Sequence, residues 1–494
     1  MFGNDTKVAV CGAGAMGAGI AQVAAQAGHT VIVLDQNDKA LARGKATVAK
    51  GAAALLKRNK ITEDEAAALE ARVEWVLDVD ALKDADLVIE AIVENADIKQ
   101  SLFEKIEAIN PNAVIATNTS SLSVTSLGAR LMRPSRFLGL HFFNPAPIMK
   151  LVEVVSGADT DKELASSALS LMESWGKVAV NARDVPGFIV NRVARPYYSE
   201  GWRAYEEGAA DAATIDFLFR DLAGFRMGPL ELGDFIGHDI NFEAARSIYE
   251  AYHGRTRFIP SLAQRQLVEA GRLGRKSGRG VYDYSEGAEK PEPNFLESAF
   301  KEAGQITLST FAPALKQLLD HNNVDYTIDD EVQPDCLMID GVQISFTDGF
   351  SAGEESDVSD CPVALLDWMR DPNAATSIAF SASCEGAREA VLKLAALCKK
   401  QAVQLTDRPG LVVFRTVCQL ANCAADAVRD QVADADAIDK AMINGVNYPF
   451  GPFNCAREIG FSRVVHGLGS IASETGEDMY RPNEIMLRFA RSDD

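Results

Sequence analysis

Short runs of consecutive apolar residues alternate with helix-like stretches from the start of the chain to about Val185. The runs are Val8–Cys11, Val31–Leu34, Leu87–Val93, Val114–Thr117, Phe137–Phe143, Leu151–Val155 and Val178–Val180. Apolar runs of this length, each followed by a helix, predict a doubly wound and mostly parallel sheet buried on both faces. Ala15–Ala27 and Ile98–Ile109 carry helical period, and Thr62-x-x-Glu65 reads as a capping box opening another helix. From Phe188 to about Tyr284 helical spacing takes over, broken by Met227-Gly-Pro229 and by Arg275–Gly280. A polar linker with Glu286, Glu289, Pro291, Glu292 and Pro293 follows, then a smaller α/β segment to about Leu405 and a last helical segment.

The second half repeats part of the first. Adding 223 to the numbering carries Asp184, Pro186, Gly187 and Arg192 onto Asp407, Pro409, Gly410 and Arg415. The same offset carries Asp211 and Asp216 onto Asp434 and Asp439, Gly228-Pro229 onto Gly451-Pro452, and Ile236-Gly237 onto Ile459-Gly460. A gapless offset sustained from Asp184 to Gly237 reads as tandem duplication.

Candidate chemistry begins at Gly12-Ala13-Gly14-Ala15-Met16-Gly17, which follows a strand and opens a helix. Glycines there permit a tight turn and close approach of the backbone to a pyrophosphate, and the helix N-terminus offers unpaired N–H groups. Asp35 ends the second strand at the spacing where a carboxylate accepts from a ribose 2′-hydroxyl and repels a 2′-phosphate, so NAD is the expected cofactor. The expected organisation is a Rossmann-type NAD-binding α/β domain over 1–185 and an all-α substrate domain over 186–284. A linker over 285–299 then leads to a degenerate second copy, with a truncated Rossmann-like segment over 300–406 and a second all-α domain over 407–494.

Oxidising a secondary alcohol with NAD needs a base for the hydroxyl proton. Of the six histidines, His141 is the one at an otherwise apolar strand end, and Glu153 on the following strand can fix its tautomer. Asn118-Thr-Ser-Ser-Leu122, His141-Phe-Phe-Asn-Pro145, Lys150-Leu-Val-Glu-Val154 and Asp184–Arg192 occur in this order after the nucleotide half. Together they resemble the L-3-hydroxyacyl-CoA dehydrogenases, closely over residues 5–284 and, with the duplicated tail, over nearly the whole chain. The resemblance implies that Ser120 and Asn191 contact the substrate oxygen and the catalytic histidine. It implies cofactor contacts from Glu94, Lys99, Ser120, Asn144 and Lys276.

The formal charge of −21 argues against nucleic acid and anionic membrane surfaces as partners. No apolar run is long enough to span a bilayer, and no export segment is read at the start, so a cytoplasmic enzyme is expected. The eight cysteines lack metal-ligand spacing, and no metal is expected. One stretch departs from the acidity: Arg43, Lys45, Lys50, Lys57, Arg58 and Lys60 occur with no acidic residue between 43 and 60. A coenzyme A substrate carries several phosphates; Arg43, Lys50 and Lys57, spaced by sevens, would share one helical face with Arg58 adjacent, and Lys50, Lys57 and Arg58 are the expected contacts. The resemblance places a coenzyme contact near Arg58, although Gly51 stands where the family pattern prefers a small hydroxyl residue.

Carried back into the strands, the 223 offset sets His141 against Ala364, Glu153 against Thr376 and Asn191 against Phe414, with no glycine fingerprint before them. The second copy is therefore expected to be non-catalytic and to support packing, giving a monomer with an intrachain pseudo-dimer or a homodimer. The tandem arrangement resembles the longer bacterial members of the family tied to phenylacetate degradation, which points to 3-hydroxybutyryl-CoA or 3-hydroxyadipyl-CoA. Two other readings compete: a dehydrogenase of a free hydroxy acid such as L-gulonate, and a catalytically silent NAD- or acyl-CoA-binding protein.

Overall fold

The computed structural model describes residues 2–297 and 304–493, so the end of the expected linker and the start of the segment expected at 300 lie outside the described residues. The chain divides into two compact units, Met1–Arg192 with Asp430–Asn447, and Val193–Arg429 with Tyr448–Asp494.

The first unit is built on eight strands: β1 (Val8–Cys11), β2 (Val31–Leu34), β3 (Val73–Val76), β4 (Leu87–Glu90), β5 (Val114–Thr117), β6 (Phe137–Phe142), β7 (Leu151–Ser156) and β8 (Val178–Arg183). Their order is β3-β2-β1-β4-β5-β6-β7-β8, parallel except for the antiparallel pair β6–β7. The apolar runs occupy these strands, and Val8, Val10, Val31, Val33, Leu87, Ile89, Leu138 and Leu140 share one core. Strand β3 escapes the apolar pattern because Glu74 interrupts it; the strand lies at the sheet edge, where Glu74 is exposed. The run read as Leu87–Val93 ends as a strand at Glu90. The Thr62/Glu65 capping box forms as expected.

This unit also takes in residues that the sequence pattern groups with the distant 407–494 segment. Helix Ala435–Val446 packs on β7 and β8. Gly445 allows the close approach, since a Cβ there would stand 2.5 Å from Leu151 and 3.1 Å from Val190. The N–H of Arg183 donates to the carbonyl of Val432 at 2.9 Å, and buried Arg192 pairs with Asp430 at 2.5 Å.

The second unit holds a seven-stranded sheet: β9 (Ile306–Ser309), β10 (Thr327–Asp329), β11 (Cys336–Ile339), β12 (Val342–Phe346), β13 (Val363–Leu366), β14 (Ser377–Ala382) and β15 (Gln401–Gln404), in the order β10-β9-β11-β12-β13-β14-β15. Strands β12 to β15 pair parallel, antiparallel and parallel, as β5 to β8 do. Three helices beginning at Ala212, Pro229 and His238 recur at Ala435, Pro452 and Phe461, each at the 223 offset.

Strand register corrects the residue correspondence drawn from sequence. Gly139 faces Val155 and Leu140 faces Val154, while Leu365 faces Ser381 and Leu366 faces Phe380, so the offset in these strands is 226. Between β14 and β15 the chain is three residues shorter than between β7 and β8. The counterpart of His141 is therefore Asp367, not Ala364, and that of Glu153 is Ala379, not Thr376; the Asp367 N–H donates to Ala379 O at 2.8 Å. Asp367 is fully buried and accepts from the N–H groups of Val412, Val413 and Phe414 at 2.8–3.1 Å.

Candidate active site

The glycine turn has the geometry its sequence demands. Gly12 has φ of +106°, and a Cβ on it would stand 2.5 Å from the Ala91 carbonyl oxygen. A Cβ on Gly17 would stand 1.9 Å from the Gly12 oxygen, whereas one on Gly14 would meet no protein atom within 4 Å. Gly12 and Gly17 thus close the turn, and Gly14 leaves the backbone open to approach from outside, as a pyrophosphate requires. Helix Ala15–Gln26 begins here, with the first-turn N–H groups of Ala15, Met16 and Gly17 lacking intrahelical acceptors. The carboxylate of Asp35 accepts from Ala13 N–H at 2.9 Å and from Asn37 N–H at 3.0 Å, so the turn itself orients it. These residues fit NAD.

The β6–β7 register sets His141 directly opposite Glu153. Nδ1 of His141 lies 2.6 Å from a carboxylate oxygen of Glu153, with Glu153 fully buried and His141 nearly so. The other Glu153 oxygen accepts from Ile189 N–H and Val190 N–H, both at 3.0 Å. Those donors follow the turn Gly187-Phe188, where both residues have positive φ. Phe188 accepts the left-handed conformation, unusual outside glycine, and its ring then flanks the His141 imidazole at 5.6 Å; Phe143 stands at 4.5 Å from the same ring. A carboxylate with two backbone donors and one imidazole is held in a single orientation.

His141 opens on a cleft of about 340 Å³ lined by Met16, Glu94, Lys99, Asn118, Ser120, Phe143, Asn144 and Asn191, among others. Five of the residues expected from the resemblance therefore converge with His141: Ser120, Asn191, Glu94, Lys99 and Asn144. Their states differ. Lys99 is buried and paired with Glu90 at 2.6 Å and with Glu94 at 3.0 Å. One oxygen of Glu94 accepts from Thr119 Oγ1, Ser120 N–H, Ser121 N–H and Ser121 Oγ at 2.7–3.2 Å, organising the loop that presents Ser120. Burial raises the carboxyl pKa of Glu94, but the Thr119 hydroxyl, the Lys99 ammonium and the Ser120 N–H outweigh it and hold it at about 2. Asn118 accepts from Phe142 N–H at 2.8 Å, tying the serine loop to the histidine strand.

Sequence reasoning assigns no role to Asn118, Thr119, Glu90 or Phe143. Asn118, Thr119 and Phe143 stand inside stretches that it singles out, but Glu90 lies in an apolar strand where nothing marks it. Lys276 belongs to the second unit, where it pairs with Asp239 at 2.5 Å. Lys50 and Lys57 are exposed on helix Asp38–Lys57, and exposed Arg58 caps it. Gly51 lies against the buried Gln22: a Cβ there would stand 2.1 Å from the Gln22 side-chain amide oxygen, so a larger residue requires that side chain to shift. Among the described residues no group of three or more His, Cys, Asp or Glu is placed to hold a metal, and no helix is long and apolar enough to cross a membrane.

Comparison with known proteins gives the family. The 3-hydroxyacyl-CoA dehydrogenase NAD-binding domain matches residues 7–185, and the C-terminal domain of the same family matches twice, at 187–284 and 410–494. A 3-hydroxybutyryl-CoA dehydrogenase reduced Rossmann-fold domain matches 344–409. The chain is 40% identical over 491 residues to the 3-hydroxyadipyl-CoA dehydrogenase of Escherichia coli, covering 99% of this chain and 98% of that one. A crystal structure of 3-hydroxybutyryl-CoA dehydrogenase from Escherichia coli superposes with a TM-score of 0.90 at 38% identity, covering 99% and 98%. A probable 3-hydroxybutyryl-CoA dehydrogenase of Deinococcus radiodurans is 41% identical over 282 residues, all of its own length but 56% of this chain. The chain therefore belongs to the 3-hydroxyacyl-CoA dehydrogenase family and is an NAD-dependent oxidoreductase.

Proposed function

We propose that the chain reversibly oxidises an L-3-hydroxyacyl-CoA to the 3-oxoacyl-CoA at one catalytic centre, with His141 as the base. The supporting observation is the 2.6 Å contact between His141 Nδ1 and Glu153, opening on the cleft that Ser120 and Asn191 line. A proton on Nδ1 donates to Glu153 and leaves the Nε2 lone pair to take the substrate hydroxyl proton; Glu153 then stabilises the imidazolium. NAD, when bound, accepts the hydride. Ser120 and Asn191 hold the reacting oxygen, and Gly12 to Gly17 with Asp35 hold the dinucleotide. Lys276 is assigned to the cofactor and Lys50, Lys57 and Arg58 to the phosphates of coenzyme A.

The second half is a copy that has lost this chemistry. Asp367 stands at the histidine position, Ala379 at the glutamate and Phe414 at the asparagine. Arg463 lies over the Phe414 ring at 5.9 Å and donates to the carbonyls of Phe346 and Thr347.

The substrate is 3-hydroxyadipyl-CoA or 3-hydroxybutyryl-CoA, the two acyl groups named for the full-length relatives. The test is NADH oxidation with 3-oxoadipyl-CoA, acetoacetyl-CoA and free acetoacetate in parallel, with NADPH as the cofactor control, on wild type and His141→Ala. Turnover of a CoA ester with NADH alone, abolished in the variant, is expected. Equal rates with free acetoacetate, or an unaffected variant, would overturn the reading.

A further inference from the structure

Lys177 is a buried ammonium that pairs with no carboxylate among the described residues. It precedes β8, is 9% exposed, and its Nζ donates to two backbone carbonyls, Ala146 O at 2.5 Å and Met149 O at 2.9 Å. Burial pushes its pKa down to about 8, so the fold bears a cost to keep a charged donor there. Both acceptors lie in the loop between His141 near the end of β6 and Glu153 on β7. Phe143 and Asn144 of this loop line the cleft. Its next residues lie against the dinucleotide helix: a Cβ on Gly19 would stand 3.1 Å from Pro147 and 3.2 Å from Ala146.

The second half supplies an internal comparison. Lys400, the counterpart of Lys177 at the 223 offset, donates to Ala375 O, the counterpart of Met149 O at the 226 offset. The Met149 bond therefore recurs where there is no catalytic dyad and belongs to the fold. The bond to Ala146 O has no counterpart at Lys400, whose side-chain hydrogen bond among the described residues goes to Ala375 O. It occurs in the half that holds His141 and Glu153.

We propose that Lys177 is a positioning residue of the dehydrogenase site, holding the 143–149 loop through the Ala146 carbonyl so that Phe143 and Asn144 keep their places beside His141. This rests on the dehydrogenase reading. Methionine fills the same volume without donors, and removing a buried charge relieves a desolvation cost. Lys177→Met also takes the donor from the Ala146 and Met149 carbonyls, as Lys400→Met takes it from Ala375 O, so the two variants are expected to shift the melting temperature alike, while in Lys177→Met alone kcat/KM for acetoacetyl-CoA falls about tenfold, the scale of one charge-assisted hydrogen bond. Amide exchange at residues 144–149 is expected to quicken in step, Lys177→Arg to restore most of the activity, and Lys400→Met to leave kcat and KM at wild-type values. Wild-type kinetics and exchange in Lys177→Met would overturn the positioning role. So would an equal loss in Lys400→Met, which would show a general effect of the shared bond on the fold. An inactive wild type would instead overturn the dehydrogenase reading, and the positioning role with it.

Discussion

Arg183, in the last strand of the first sheet, donates its N–H to the carbonyl of Val432 at 2.9 Å. The 223 offset sets Arg183 against Thr406 and Ala209 against Val432, and the N–H of Thr406 donates to the carbonyl of Ala209 at 3.0 Å. The ion pairs follow the same rule: Arg192 with Asp430 in the first unit, Arg415 with Glu207 in the second. Each sheet thus binds the helical segment belonging to the other half of the sequence. That reciprocity is the signature of an isologous contact, residue i to j and the counterpart of j to the counterpart of i.

The first prediction concerns truncation. A chain ending at Glu289 lacks Asp430–Asn447 and exposes Leu151, Val190 and the β8 edge, all covered in the first unit. It is expected to dimerise through the vacated face or to aggregate, checked by light scattering on a gel-filtration column. A stable, active monomer would contradict the exchange.

A second concerns the dyad. Glu153→Gln keeps the shape but removes the charge that fixes the His141 tautomer, so kcat should fall about 10²- to 10⁴-fold. NADH titration by fluorescence should show near-normal cofactor affinity, separating the chemical step from binding.

Acid should act through Glu94. Its folded-state pKa of about 2 lies below the ordinary carboxyl value of 4.5, so its contribution is present above pH 4.5 and lost as pH falls toward 2. Melting curves of wild type and Glu94→Gln should differ at pH 7 and converge as pH drops through that window. A constant difference would show that the charge of Glu94 does not hold the serine loop.

The second half supplies the fourth. Asp367→Ala leaves four backbone N–H groups, those of Trp368, Val412, Val413 and Phe414, without their acceptor and should cost about 2–4 kcal/mol in urea unfolding of the second unit. Acyl-CoA kinetics at low temperature should be unchanged, because the residues assigned to the reaction lie elsewhere.

Much of this is legible in the residues. The glycine turn, Asp35, the apolar strands and the pairing of His141 with Glu153 follow from short-range rules: period, capping, and the opposition of residues across adjacent strands. The helical repeat is legible for the same reason, since a gapless offset survives in the text. The strands of the second half misalign under that offset because a three-residue deletion in a connection leaves no mark in sequence, while hydrogen-bond register cannot slip without turning every side chain to the wrong face. Glu90 and Lys177 are opaque because a buried charge is recognised by its partners, and those of Lys177 are backbone carbonyls about thirty residues back in the chain, which carry no side-chain signal.

The sequence by itself determined which residues are candidates for chemistry, because that depends on residue type and local order: one nucleotide turn, one histidine with its carboxylate, and a second half without either. Only the tertiary structure decided that residues 430–447 complete the first unit, that Asp367 occupies the strand position matching the histidine, and that Lys177 clasps the loop beside His141. Those are long-range outcomes of burial and hydrogen-bond satisfaction, which no local pattern encodes.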